Sequence, residues 1–145
     1  MGLIELIFGY KPPEQNKSSE PDRVILRGND QFELEVVGES YYQNNLQKIC
    51  GPRKEEGENQ ILDATLFMED NNPHDRQAVK VVILGLTVGY LRREVAPEYR
   101  RALRTAGHPN AIGTCKARIR GGWERRDGST GYYGVRLDLR VEFVD

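Results

Sequence analysis

The sequence predicts a mainly β domain, a small and partly open antiparallel barrel with two short helices. Three observations lead there. Six or seven short runs alternate apolar with polar residues or concentrate β-branched ones, the marks of half-buried and buried strands. Gly, Pro, Asn and Asp punctuate the chain between those runs. Only two segments carry the 3.6-residue period of a helix. That many short strands need two packed sheets or a closed ring, because closure removes exposed edges.

The elements follow in order. Residues 1–8 are a short hydrophobic segment interrupted by Glu5. The segment is far below the ~20 apolar residues of a membrane span. Without a basic start or a small-residue cleavage site, it does not read as a signal peptide. Residues 9–23 contain Pro12-Pro13, Ser18-Ser19 and Pro21 and read as a linker. The chain therefore divides into an N-terminal segment with linker, 1–23, and a barrel domain, 24–145. The segment is expected to dock on the body as an amphipathic turn, with a partner or a membrane as the other options.

Residues 24–26 make a weak strand. Phe32, Leu34 and Val36 alternate with Glu33 and Glu35 in a stronger one that ends at Gly38. Ser40 and Gln43 have the spacing of a capping box, which predicts a helix from Ser40. Tyr42, Leu46 and Ile49 form its apolar face, Tyr41 lies off that face, and Gly51-Pro52 ends it. Strands are expected over 61–68, 78–84 and 86–91, the last two as a hairpin turning at Gly85. Residues 92–106 read as a second helix on Val95, Tyr99 and Leu103, with Arg93, Arg100, Arg101 and Arg104 on its other faces. Residues 115–119 and 135–143 are strands, joined through the Arg126-Asp127-Gly128-Ser129 turn. Lys116, Arg118 and Arg120 share one face of the first.

A net charge of −1 hides an asymmetry. Residues 1–89 hold 9 Lys and Arg against 15 Asp and Glu, whereas residues 90–126 hold 10 against 3. A basic middle in an acidic chain suits an anion such as a phosphate backbone, or simply solvates a helix and a strand. Cys50 and Cys115 make neither a disulfide framework nor a zinc pattern and read as two reduced thiols of a cytoplasmic protein. No phosphate-binding loop, dinucleotide fingerprint, zinc-protease helix or nucleophile elbow is present, and no cofactor is implied.

The densest polar constellation is Asn71-Asn72-Pro73-His74-Asp75, a turn feeding the β-branched run Ala78-Val79-Lys80-Val81-Val82. His74 and Asp75 could pair as acid and base or hold a metal in a nuclease or phosphoesterase. On an extended strand, however, neighbours point to opposite faces, and no third ligand stands at usual spacing. A binding reading uses more of the residues. Tyr41 beside a helix start suits a base stacked over its phosphate, or is a surface-packed tyrosine. His74 offers a second flat surface, or is a turn residue. Asp75 accepts a sugar hydroxyl, or caps the turn. Arg92 and Arg93 open the basic helix next to Tyr90.

Three motifs carry a resemblance: Val36-Val37-Gly38-Glu39-Ser40-Tyr41-Tyr42-Gln43, then Asn71-Asn72-Pro73-His74-Asp75 with Ala78-Val79, then Val88-Gly89-Tyr90-Leu91-Arg92-Arg93-Glu94. In this order, over residues 32–104, they resemble the HIRAN domain family. Its members stand at the front of DNA translocases or alone as short proteins. The resemblance implies an OB-like or SH3-like barrel that is not an enzyme. Its implied role is to capture the free 3′ end of single-stranded DNA in repair or replication-fork contexts. On that likeness Tyr41 stacks on the terminal base and His74 stacks where the family has an aromatic. Asp75 accepts from the 3′-hydroxyl, Asn72 shapes the pocket and contacts the last nucleotide, and Arg93 meets a phosphate in place of a lysine. Ser40 stands where an arginine is usual, which removes one phosphate contact. Remodelling of DNA would need a helicase, translocase or other repair partner, since no ATPase motif is present. An adaptor for proteins, keeping the fold without the DNA site, is the alternative function.

Overall fold

A computed structural model describes residues 4–6 and 20–141, with the backbone alone for 4–6. Its strands are β1 (Ile4–Leu6), β2 (Arg23–Leu26), β3 (Leu34–Val37), β4 (Glu58–Met68), β5 (Val79–Ile83), β6 (Leu86–Leu91), β7 (Ile112–Gly121) and β8 (Tyr133–Leu137). Helix α1 (Gln43–Cys50) follows a single 3-10 turn at Glu39–Tyr41, and α2 is Ala96–Thr105.

Six strands close a ring in the order β7-β4-β5-β6-β3-β8 and back to β7, every pairing antiparallel. The fold is thus a small OB-like β-barrel with two short helices. It is closed where the sequence suggested a partly open one. Closure comes from the far half of β7, residues 117–121, which pairs with β8 while its near half takes β2. The N-terminal segment docks as a strand: β1 adds parallel to β2, and β2 parallel to β7 (Arg23↔Ile112).

Alternation fixes what each strand offers inside and outside. Val79, Val81 and Ile83 of β5, and Cys115, Ala117 and Ile119 of β7, are buried, so Lys80 and the Lys116-Arg118-Arg120 series face out. Leu46 of α1, with Val95, Tyr99 and Leu103 around α2, completes the core. Burying four such side chains contributes roughly 1.5–3 kcal/mol each.

β5 and β6 join through Leu84 and Gly85, both at positive φ (49° and 77°), as a two-residue type I′ turn demands. Val88 is an extra residue between Val81↔Gly89 and Val82↔Thr87, a β-bulge. Gly89 lets that bulge lie against β3, since a Cβ there would stand 2.6 Å from the Val37 carbonyl oxygen.

β3 changes partner midway, pairing with β8 at residues 34–35 and with β6 at 36–37. Past Glu35↔Arg136 the seam between β3 and β8 is bridged by side chains. Gln43 accepts from Tyr133 N (2.8 Å) and donates to the carbonyls of Tyr133 (3.1 Å) and Glu39 (2.9 Å), while a Glu39 carboxylate oxygen accepts from Val135 N (3.4 Å).

That duty of Gln43 explains one departure from the sequence reading. No capping box forms at Ser40, because Gly38 (φ 79°) leads into the 3-10 turn and Tyr42 becomes the cap. Tyr41 therefore precedes α1. The second helix starts at Ala96, with residues 92–95 in a turn, because Pro97 fits only in its first turn. Phe32 lies outside β3 at φ 49°. β8 stops at Leu137, where buried Asp138 turns in beside Gly28, and Phe143 lies outside the described residues.

Candidate functional site

Loop 69–78 links β4 to β5 and is held from within. The Asn72 side-chain oxygen accepts from the backbone N–H of His74 (2.8 Å) and of Asp75 (3.1 Å). Its amide nitrogen donates to Glu69 (2.8 Å). Asp75 Oδ1 accepts from Gln77 N (2.9 Å), and the ends of the loop meet at Glu69 N to the Ala78 carbonyl (2.9 Å). Such side-chain turns are what Asn and Asp do best, since each mimics a backbone turn at short range. His74 and Asp75 thus sit in the turn rather than at a strand start. That removes the opposite-faces argument, but no three His, Cys, Asp or Glu converge on a metal-sized site among the described residues.

The turn leaves a polar surface cleft. Asn72, His74, Asp75 and Arg93 line it together, with Asp70 and Arg76 at its rim. Asp75 Oδ2 lies 3.9 Å from Arg93 Nε, and Arg93 Nη2 reaches the His74 carbonyl at 3.4 Å. The Arg93 side chain is otherwise exposed, as is His74. The cleft therefore joins a hydroxyl acceptor to an open cation.

Tyr90 and Tyr41 are not in the lining of that cleft, and Tyr90 is linked to it through Glu69. Tyr90 donates to Glu69 Oε1 (2.8 Å), the same oxygen that Asn72 bonds, and Lys80 stands 3.7 Å from the other. Burial, followed by the bond to Glu69, pushes the Tyr90 hydroxyl well above its ordinary value. The Tyr90 ring packs against Tyr42 at 6.4 Å. Tyr41, next in the chain, is 87% exposed. Register sets Phe67, Lys80, Tyr90 and Val37 side by side on the outside of four adjacent strands. Arg92 is turned to Glu94 (2.8 Å), whose own backbone and Arg92 hold its carboxyl below the usual range.

Two functional residues escaped the sequence reading. Glu69 ties loop to barrel through Asn72 and Tyr90. Arg100, assigned above to a solvated face, is only 9% exposed and grips the loop from behind, donating to the carbonyls of Gln77 (2.9 Å) and Ala78 (2.8 Å) and to Asp70 (2.6 Å). Glu69 has only its proximity to the Asn-Asn-Pro turn as a sequence signal, and Arg100 has none.

Fold and site together define a closed β-barrel with a polar cleft at one interstrand loop, lined by Asp70, Asp75, Arg76 and Arg93 among others. No family model, curated protein or solved structure matches the chain. Among the described residues no helix is long and apolar enough to cross a membrane.

Proposed function

We propose that this protein is a HIRAN-type, non-enzymatic module that captures the 3′ end of single-stranded DNA. One observation carries the reading: Asp75 presents Oδ2 into a cleft whose nearest cation is Arg93, 3.9 Å away. A carboxylate repels phosphates, so it suits a nucleic-acid site only where the phosphates stop. A terminal hydroxyl bonded to Asp75, with the preceding phosphate on Arg93, satisfies both groups. Tyr41 and His74 are the uncovered flat surfaces for bases. Asn72 supports them, its oxygen already used by two backbone donors. Arg92, bound to Glu94, has a lesser role. A translocase or repair partner would supply motion, and the cytoplasm is the natural compartment for such work.

The test is a titration of short oligonucleotides ending in a 3′-hydroxyl or a 3′-phosphate. A hydrogen bond to a charged acceptor is worth about 1.5–3 kcal/mol, roughly a ten- to hundredfold preference for the hydroxyl. Asp75→Asn keeps an acceptor for Gln77 N and should erase that preference. Equal binding of both ends rejects end capture. Absence of binding favours a protein adaptor, and cleavage with added metal favours an enzyme.

A further inference from the structure

The outer face of β7 meets β8 in an unusual register: Arg118 lies directly opposite Arg136, with Arg120 opposite Gly134. Like charges facing one another across strands are destabilising. Only Arg136 is neutralised by an ion pair, to Glu35 at 2.6 Å. Arg118 and Arg120 have no carboxylate partner among the described residues. Arg118 lays its guanidinium on the Phe32 ring, 4.5 Å from the centroid, and its Nε is buried without a hydrogen bond.

These arginines line a groove of about 340 Å³ at the seam where β3 leaves β8. Gly134 supplies no side chain to fill it. Glu35 and Glu39 also border it, but the first is held by Arg136 and the second by Val135 N. Three arginines against two engaged glutamates leave the groove positive.

The groove and the end cleft share no lining residue, and a strand held by both must pass around the barrel over β3. Val37 lines the groove and pairs with Tyr90, and Glu39 of the turn Glu39–Tyr41 reaches into it, while Tyr41 of the same turn is exposed. From β6 to β7 across β3 and β8 is three strand spacings, half the ring, about 15 Å measured along the ladder. That distance falls within the span of the ~4–16 nucleotides one OB-type barrel engages.

We propose that this seam groove binds the phosphates of a single strand upstream of its captured 3′ end, with Arg118, Arg120 and Arg136 as the contacts. The inference rests on the end-capture reading above. Planar guanidiniums that stack on an aromatic and offer forked donors are the suited chemistry for phosphate.

The experiment compares a trinucleotide with a decanucleotide, each with a 3′-hydroxyl, on the full chain and on Arg120→Gln/Arg136→Gln, which leaves the Arg118–Phe32 stack intact. The expected result is unchanged trinucleotide binding and about tenfold weaker decanucleotide binding, with a log–log salt slope shallower by about 1.4. The double lysine variant should keep the wild-type salt slope, because it keeps both charges. Losses as large with lysine as with glutamine overturn a phosphate role and point to altered folding at the seam. Wild-type decanucleotide affinity in the glutamine variant, with hydroxyl preference intact, overturns the groove and leaves end capture standing. Failure of the wild-type chain to bind either oligonucleotide overturns both.

Discussion

Arg100 sits in a run of arginines yet points inward, and its three donors close the back of loop 69–78. Arg100→Met should cost about 2–3 kcal/mol, the scale of lost charge-assisted hydrogen bonds to partners that are only partly resolvated. Arg100→Lys keeps the charge but not the fork and should recover less than half of it. A shift of the urea midpoint measures both, with Arg101→Ala as an exposed control within about 0.5 kcal/mol. Faster exchange of the His74 and Asp75 amide protons in Arg100→Met would show that the loop itself has loosened. Unchanged exchange would mean Asn72 alone holds the turn. At this scale the sequence was partly readable. Asn-Pro and Asp announce their turn because their chemistry is local, and Tyr41 announces its exposure because it falls off the apolar period. Arg100 acts through partners 22 to 30 residues distant and Glu69 ties the turn to Tyr90, 21 residues away, and no local pattern encodes a distant partner. Cys50 and Cys115 were read as plain thiols. Burial lifts them to about 11 and about 12, so both should react slowly with a thiol reagent in the folded protein.

The β5–β6 hairpin and the bulge beside it give the element-scale tests. Leu84 is 73% exposed and holds φ 49° in a turn that favours Asn followed by Gly. Leu84→Asn should stabilise the protein by about 0.5–1 kcal/mol through relief of strain, a rise of a few degrees in Tm. Gly89→Ala should do the opposite. Its Cβ would press on a backbone oxygen at 2.6 Å and on Val36 Cγ1 at 2.4 Å, so strand β6 must move off β3, at about 2–3 kcal/mol. A thermal melt of each reports the sign, and a neutral Gly89→Ala would show that β3 and β6 can part without loss. Period-two alternation located these strands because each has one wet face. It overran at residue 138, where Asp138 N still bonds the Lys116 carbonyl but Asp138 and Leu139 are both buried, so the alternation and the strand end. It also failed at Ser40, where the capping pair is real in sequence but Gln43 has better partners on β8. Local rules lose when a tertiary donor and acceptor both stand within reach.

The whole molecule is a ring with an added ribbon. β3 to β8 close on one another without β1 or β2, and the ribbon's ladder to the ring runs along the first residues of β7. The basic middle of the chain is likewise divided by the fold. Arg100 is buried on Asp70, Arg92, Arg101 and Lys116 meet Glu94, Glu98 and Asp63, Arg93 stands 3.9 Å from Asp75 at the cleft, Arg118 and Arg120 lie at the seam, and Arg104, Arg125 and Arg126 are exposed elsewhere. Net charge along the sequence therefore shows a basic stretch but not where the fold puts it, since ring closure brings β3 between β6 and β8. The ring and the ribbon should also separate in stability. Val24 and Leu26 of β2 are buried in the core, and Asp22 ties the ribbon to buried His108 at 2.6 Å. Deleting residues 1–19 leaves the ring's ladders, Val24, Leu26 and the Asp22–His108 contact in place, so unfolding should stay cooperative and the hydroxyl preference should persist. Deleting residues 1–26 strips two core side chains, at about 1.5–3 kcal/mol each, and exposes the near half of β7 as a free edge. That shorter chain should aggregate or unfold below the temperature at which the 1–19 deletion melts. Equal melting of the two would show that the ring alone carries the core, and the domain would then begin at β3.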